Sequence, residues 1–545
     1  MLAAIRSAAV LGVEAYDVTV EVDAAQGLPQ WTIVGLAAGA VKEAKERVAA
    51  ALTNAGFLVP PRRYTINLAP GDQRKDGTAF DLPIALGVLV ATGQLDPGAV
   101  AGIAALGELG LDGSLRGVRG VVPIALHLAP SRYAASDDRL RLIVPPANLG
   151  EARVVSTLPS VAPASLAELV VALREGGERW RALAARGAGT PGDANAVADG
   201  PLGGDERLDL RDVVGQESAK RALEIAAAGG HALLFVGPPG GGKTMLARRL
   251  AGILPPLSEA EALEVMAVQS VAGLLRTRGR YVAERPFRAP HHTLSVAALI
   301  GGGSLPRPGE VSLAHHGVLF LDELQEMPRS VLDALRQPME DGRVLISRAQ
   351  QSLAFPAKFA LVGAMNPCPC GHAGHAATSS TTAGDPAVTS SLRCTCSSAD
   401  VARHRSRVSG PLADRLDMTV HVPAVSIATL GAGSEGESSA AVRTRVVAAR
   451  ARQLDRYRKL RRVTCNAHVA GRWLDANTPI ADDARALLAN SAERLALSAR
   501  GYHRVLKVAR TIADLDEHDR VERAHVAEAL FVRTHDNLPA RVEVA

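Results

Sequence analysis

Aromatic residues make up only 3% of this 545-residue chain. That scarcity argues against base stacking as the chief way of holding a nucleic acid. Cysteine is also rare. There are five, and four of them (Cys368, Cys370, Cys394 and Cys396) fall in one short stretch. Five are too few for a secreted disulfide framework, and their grouping suits a local metal site in a reducing cytoplasm. No run of about 18 apolar, uncharged residues occurs, so no membrane-spanning helix and no membrane partner are expected. The first residues start like a secretory signal, but Glu14 and Asp17 interrupt the apolar stretch and no small-residue cleavage site follows. A cytoplasmic location is expected. Charge of one sign is missing too: 61 Lys+Arg against 56 Asp+Glu leave a net +5. Such a margin permits an acidic polymer as partner but does not require one.

What is present divides the chain into parts. The length suits about three domains at roughly 100–200 residues each. Residues 1–184 mix strand-like alternation, as in Tyr16–Val22, with an Ala-rich helical pattern from Ala38 to Gly56. Residues 185–206 are rich in Gly, Pro, Ala and Asp and read as a linker. Within 207–430, His231–Val236, Gly317–Leu321 and Phe359–Ala364 are continuous apolar runs of strand length. Runs of this kind suit a parallel sheet covered on both faces. Residues 431–440 form a second linker, and 441–545 read as helices.

The chemistry begins at Gly237-Pro238-Pro239-Gly240-Gly241-Gly242-Lys243-Thr244, which fits G-x-x-x-x-G-K-[ST] between an apolar strand and a helix. The glycines let successive backbone N–H groups face phosphate oxygens, and the helix start adds positive potential. Lys243 would reach the β- and γ-phosphates of ATP, and the Thr244 hydroxyl would hold Mg²⁺. About 80 residues on, Gly317–Leu321 ends in Asp322-Glu323. Asp322 is then the metal partner, and Glu323 the general base for the attacking water. Asn366 ends the next apolar strand and supplies an uncharged polar group near the water or the γ-phosphate.

The paired Cys-x-Cys motifs, Cys368/Cys370 and Cys394/Cys396, bracket an insert spanning 368–396. Four thiolates suit a structural Zn²⁺ in tetrahedral coordination. His372 or His375 offers a substitute ligand, and four reduced thiols in a loop are the other reading. Cys465 stands alone and reads as a packed residue. Arg443, Arg445, Arg450, Arg452, Arg456, Arg458, Lys459, Arg461 and Arg462 crowd one helical stretch against a single acid, Asp455. That stretch reads either as a phosphate-gripping surface or as a solvated helix face.

Further motifs accompany these. They are Arg285-Pro286-Phe287-Arg288-Ala289-Pro290-His291-His292, Asn366-Pro367-Cys368-Pro369-Cys370-Gly371, Ser409–Asp417 with Asp414-Arg415-Leu416-Asp417, Ser498–Tyr502, and Lys75–Ile84. Together with the phosphate loop they make the chain resemble the magnesium-chelatase-like AAA+ ATPases of the ComM/YifB group over nearly its whole length. The fold implied is α/β: an N-terminal Lon-protease-like, ribosomal S5-type α+β domain, a central P-loop AAA+ core with a parallel sheet, and a C-terminal helical lid. By resemblance Asn366 is sensor 1, Arg415 the arginine finger, and Arg500 the sensor 2 arginine, with Arg504 as second choice. A finger acting in trans implies a hexameric ring. The resemblance also implies pore-facing segments at about 272–310 and 343–356. Arg288, His291, His292 and Arg348 are then candidate contacts to a threaded DNA strand, or braces of a Pro-flanked loop.

The implied activity is ATP-driven branch migration or helicase action on single-stranded or branched DNA, without sequence preference. A chelatase-type motor that remodels a protein partner is the alternative. The Lon-like domain raises proteolysis, but its Ser position is Ala79 and its Lys position falls near Val122. Without a hydroxyl and a neighbouring base there is no nucleophile.

Overall fold

The structure is a computed structural model that describes residues 2–129, 140–185, 208–275, 281, 284–303, 306–347, 352–373, 394–408, 410–425, 436–460 and 463–534. Residues 186–206 of the first expected linker and 431–435 of the second lie outside the described residues, as do Arg348 and His375.

Near the N-terminus, Leu2–Leu11 and Glu14–Ala25 form a long antiparallel hairpin. Val18, Val20 and Val22 alternate inward and are fully buried, as the period of two requires. Arg63–Ala69 pairs antiparallel with Glu14–Ala25, and Gln30–Val34 lies parallel beyond it. Ile103–Ala105, Arg141–Ile143 and Ser160–Val161 extend the other edge in parallel, making a seven-stranded mixed sheet. The helix Asp81–Ala91 is buried along its whole length and packs on the hairpin. Its one charge, Asp81, is met by both ends of the Arg47 guanidinium at 2.7 and 2.9 Å. Burial raises the Asp81 carboxyl, and Arg47 opposes that rise.

The expected position of a proteolytic lysine, Val122, is fully buried. It packs with Val154 against Met266 and Ala267 of the helix Glu259–Ala272 in the central domain. The Gly120 and Val122 N–H groups donate to the Ser270 carbonyl and hydroxyl at 3.2 and 3.3 Å. The position of the dyad's lysine is therefore occupied by an apolar, hydrogen-bonded seam with the helix Glu259–Ala272.

The central sheet has five strands, all parallel, in the spatial order Phe287–Arg288, Val318–Leu321, Ala360–Met365, Leu233–Val236, Met418–His421. Alternate residues of each strand feed different cores. Leu233, Phe235, Val318, Phe320, Val362 and Val420 face one side, while Leu234, Leu319, Leu321 and Leu361 face the other. Burial on both faces is why these strands read as unbroken apolar runs rather than as alternation. The hairpin Arg343–Ser347/Ser352–Pro356 leaves this sheet just before Ala360–Met365.

The C-terminal part is helical: Ser439–Tyr457, Asp482–Arg494, Ala499–Leu515 and Arg523–Thr534. Ser438 and Ser498 cap two of these by accepting from the N–H groups of Ala441 and Gly501. Val446, Tyr457, Val505 and Ile512 share one core with Phe235 and Phe320, so this lid is continuous with the sheet layer. The arginine-rich helix serves that docking. Arg443 and Arg450 donate to the carbonyls of Gly252 and Ala227 on the core domain. Arg445 pairs with Glu224 at 2.6 Å, and Arg456 with the fully buried Asp514 at 2.9 Å. Arg452 and Arg458 face Asp519 and Asp455. Arg443, Arg445, Arg450 and Arg456 are thus engaged inside the fold, while Arg452 and Arg458 stay at the surface. Those first four act as latches, because the groups they meet come mostly from distant parts of the chain. Arg461 and Arg462 lie outside the described residues. Among the described residues, no helix is long and apolar enough to cross a membrane.

Candidate nucleotide site

The phosphate loop leaves the C-terminal end of Leu233–Val236. A Cβ on Gly237 would lie 2.1 Å from the Val422 carbonyl oxygen, so only glycine lets the loop pass the neighbouring strand. Gly242 sits at φ +87, a left-handed turn that starts the helix Lys243–Ile253. Gly240 and Gly241 complete the curl, and Pro238 and Pro239 stiffen its outer side. Gln216 closes it from outside by donating to the carbonyls of Gly241 and Pro423, at 3.3 and 2.6 Å. Gln216 escaped the sequence reading. Its one local signal is the pair Gly215-Gln216 just before a helix, and both residues have positive φ.

Lys243 is buried, and its ammonium donates to the carbonyls of Gly237 and Pro238 (2.7 and 2.9 Å) and to Asn366 Oδ1 (3.1 Å). Burial lowers its pKa, against the pull of Asp322 and Glu323. A full charge held by three neutral oxygens in a low-dielectric pocket gains strongly from an anionic partner. Thr244 Oγ1 donates to Asp322 Oδ2 at 2.7 Å. Hydroxyl and carboxylate oxygens converging at a helix start are the donor set that a hard divalent cation such as Mg²⁺ prefers.

Glu323 follows at φ +49, a strained value for a residue with a side chain, and its N–H donates to Asp322 Oδ1 at 2.9 Å. The Glu323 carboxylate meets His292, whose Nδ1 lies 2.9 Å from Glu323 Oε2. His292 thus meets the expected base. Asn366 ends Ala360–Met365, with its side chain on Lys243 and its carbonyl accepting from His404 Nε2 at 3.2 Å.

The expected arginines lie elsewhere. Leu233 pairs with Met418 at the start of the two parallel strands, and the phosphate loop follows Val236 at their far end. Three strand steps span about 10 Å. Arg415, just before Met418, is therefore at the opposite end of the sheet from Lys243 of the same chain. Arg415, Arg500, Arg504, Lys507, Glu340 and Asp417 line a cavity of about 300 Å³ there. Arg415 pairs with Glu340. Arg504 is committed to the framework: it donates to the Arg415 carbonyl at 2.6 Å and to Asp417 Oδ1 at 2.5 Å. Burial alone would raise the Asp417 carboxyl, but His231, Arg504 and the Ala232 N–H outweigh it and hold the group well below the carboxylate range. Arg500, at the exposed start of Ala499–Leu515, pairs with no described residue.

Of the expected strand contacts, Arg288 is held by Glu310 through two bonds of 2.7 and 2.8 Å. The exposed His291 holds Thr293 at 2.9 Å. Arg348 lies beyond the described part of the hairpin. The four cysteine sulfurs lie within 4.8 Å of one another, with Cys368 buried.

A second convergence, Glu264 with His315 and His316, has metal-like composition but a different function. His315 Nδ1 accepts from the Lys358 N–H at 3.0 Å, so the ring proton sits on Nε2, which faces Glu264 at 2.9 Å. A protonated nitrogen cannot bind a metal. Burial takes His315 down to about 4, keeping it neutral. The trio is a latch between the helix Glu259–Ala272 and the base of the Val318–Leu321 strand.

A strand–loop–helix phosphate cradle, an acidic pair at the end of the strand one beyond its neighbour and an all-parallel sheet define a P-loop core of the AAA+ type. Family models agree along the chain: "Magnesium chelatase, subunit ChlI" matches residues 209–430, "Subunit ChlI of Mg-chelatase" residues 20–148, and "Magnesium chelatase, subunit ChlI C-terminal" residues 436–533. The chain is 43% identical over 535 residues to the competence protein ComM of Haemophilus influenzae, covering 98% of this chain and 97% of that protein. It is 40% identical over 543 residues to the uncharacterized protein YifB of Escherichia coli, covering 98% of each. A magnesium-chelatase 38 kDa subunit of Rhodobacter capsulatus is 28% identical over 171 residues, which cover 28% of this chain and 49% of that subunit. The chain belongs to the ComM/YifB family of magnesium-chelatase-like proteins.

Proposed function

We propose that this protein is a Mg²⁺-dependent ATPase that works as a hexameric ring and drives branch migration or unwinding of single-stranded or branched DNA. One observation carries the ring: each chain holds its phosphate cradle at one end of the central sheet and its arginine cavity at the other. A neighbour's Arg415 and Arg500 can complete a cradle that the chain's own cannot reach. In such a site Lys243 holds the phosphates and Asn366 orients the water. Glu323 takes the water's proton, and the arginines meet the charge that develops on the transferred group. Bound with the nucleotide, Mg²⁺ would be held by Thr244 and Asp322 and would draw charge from the phosphate oxygens.

DNA is favoured over a protein partner because pairwise identity to a competence protein is 43% over 98% of the chain, whereas pairwise identity to a chelatase subunit is 28% over 28% of it. With Arg288, Arg443, Arg445, Arg450 and Arg456 engaged internally, strand contact falls to His291, to the Arg343–Ser347/Ser352–Pro356 hairpin with Arg348 next in the chain, and to the surface arginines of the lid helix. The contact between His292 and Glu323 ties this region to the chemistry. While His292 holds the carboxylate, the base is less available to water, and a strand that displaces the 289–295 segment frees it.

The test is ATP turnover with and without single-stranded DNA and a four-way junction. Turnover should rise with DNA; equal turnover would leave the protein-remodelling reading. In the same assay His292→Ala should raise DNA-free turnover by several-fold, on the order of one lost solvent-screened hydrogen bond, and so shrink the stimulation. A variant with unchanged basal rate would remove His292 from this role.

A further inference from the structure

The cysteine cluster is built onto the nucleotide site. Cys368 Sγ lies 3.3 Å from Cys370 Sγ and 3.7 Å from Cys394 Sγ, and Cys370 and Cys394 are 3.6 Å apart. Tetrahedral zinc with Zn–S bonds of about 2.3 Å spaces its sulfurs by about 3.8 Å. The Ala373 N–H donates to Cys368 Sγ at 3.2 Å, the kind of support a coordinating thiolate receives from its own loop.

Three attachments join this knuckle to the cradle. Cys368 is two residues beyond Asn366, which holds Lys243. Gly371, turning at φ +83, lies against the phosphate loop so closely that a Cβ there would be 2.5 Å from Pro239 Cδ. The helix Ser398–Ser406, which follows Cys396, returns His404 to the Asn366 carbonyl. Both chain segments leaving the sulfurs therefore end on the residues that shape the phosphate pocket.

We propose that the four thiolates hold a zinc-class divalent ion and that this ion braces the nucleotide cradle, fixing Pro239 through Gly371 and Asn366 through Cys368 and His404. The inference rests on the ATPase reading and adds a metal dependence to it. Without the ion nothing cross-links the four sulfurs, so the knuckle opens and the loop loses its outer wall. Metal content then governs nucleotide affinity without any contact between metal and nucleotide.

The experiment uses the full-length chain. Zinc is quantified as purified, removed with a mercurial thiol reagent and chelator, and restored after reduction. A fluorescent ATP analogue and far-ultraviolet circular dichroism are read at each stage. One zinc per chain is expected. Removal should weaken nucleotide binding by about tenfold or more with the helix signal retained, and Zn²⁺ but not Mg²⁺ should restore it. Gly371→Ala gives a second, independent readout: zinc content should stay at one per chain while nucleotide affinity falls, because the added methyl meets Pro239. Absence of zinc with no uptake would overturn the proposal, as would zinc whose removal leaves nucleotide affinity unchanged. A zinc-loaded chain that binds no nucleotide would instead overturn the ATPase reading, and this inference with it.

Discussion

Replacing Glu323 with glutamine is expected to lower ATP turnover by about 10²- to 10⁴-fold, the usual contribution of a positioned general base. Nucleotide binding should change little. Glutamine keeps the size of the side chain and can still accept from His292, so the turn at φ +49 and the Asp322–Thr244 contact stay in place. What it lacks is a carboxylate able to take the proton of the attacking water. A fluorescent ATP analogue measures the first quantity and phosphate release the second. Loss of both together would mean that Glu323 shapes the pocket rather than acting as base. Retained turnover would move the base elsewhere.

Arg415→Ala is expected to cut turnover by about 10³- to 10⁵-fold, the range for a finger that neutralises transition-state charge. The Glu340 left behind is half exposed and can be met by water, so folding should be retained, as circular dichroism can check. The decisive form of the experiment mixes two inactive chains. Lys243→Ala supplies an intact arginine, and Arg415→Ala supplies an intact cradle. In a closed ring assembled at random from equal amounts, about a quarter of the interfaces combine the two intact halves. Turnover should then reappear on mixing. If Arg415 served its own chain's nucleotide, the mixture would stay silent. The geometry already opposes that, because Arg415 and Lys243 stand at opposite ends of the same pair of strands.

The phosphate loop and the Asp322-Glu323 pair were legible in the sequence because each is local. A strand, a glycine turn and a helix start are encoded by neighbours in the chain, and so is a strand ending in two acids. The three central strands were legible for a related reason: burial on both faces leaves an unbroken apolar run. The basic helix shows the limit. Its arginines look like a cationic surface when read along the chain, since Asp455 is the only acid within the stretch 443–462. Glu224 and the carbonyls of Ala227 and Gly252 come from the core and turn part of that surface into the seam between lid and core, while Asp514 ties Arg456 to another lid helix. Arg288 went the same way once Glu310 folded against it.

By itself, then, the sequence determined that this chain builds a P-loop core with an acidic pair and a four-cysteine insert, and that its first domain lacks a proteolytic dyad. Those features depend on residue type and short spacing. Only the tertiary structure decided that His292 meets Glu323, that Gly371 rests on Pro239, and that Arg415, Arg500 and Arg504 gather at the sheet end away from their own Lys243. The reason is physical. Spacing constrains the backbone over a turn or a strand, but the partner of a charged or catalytic side chain is chosen by which distant segments the packed core brings within about 3 Å of it.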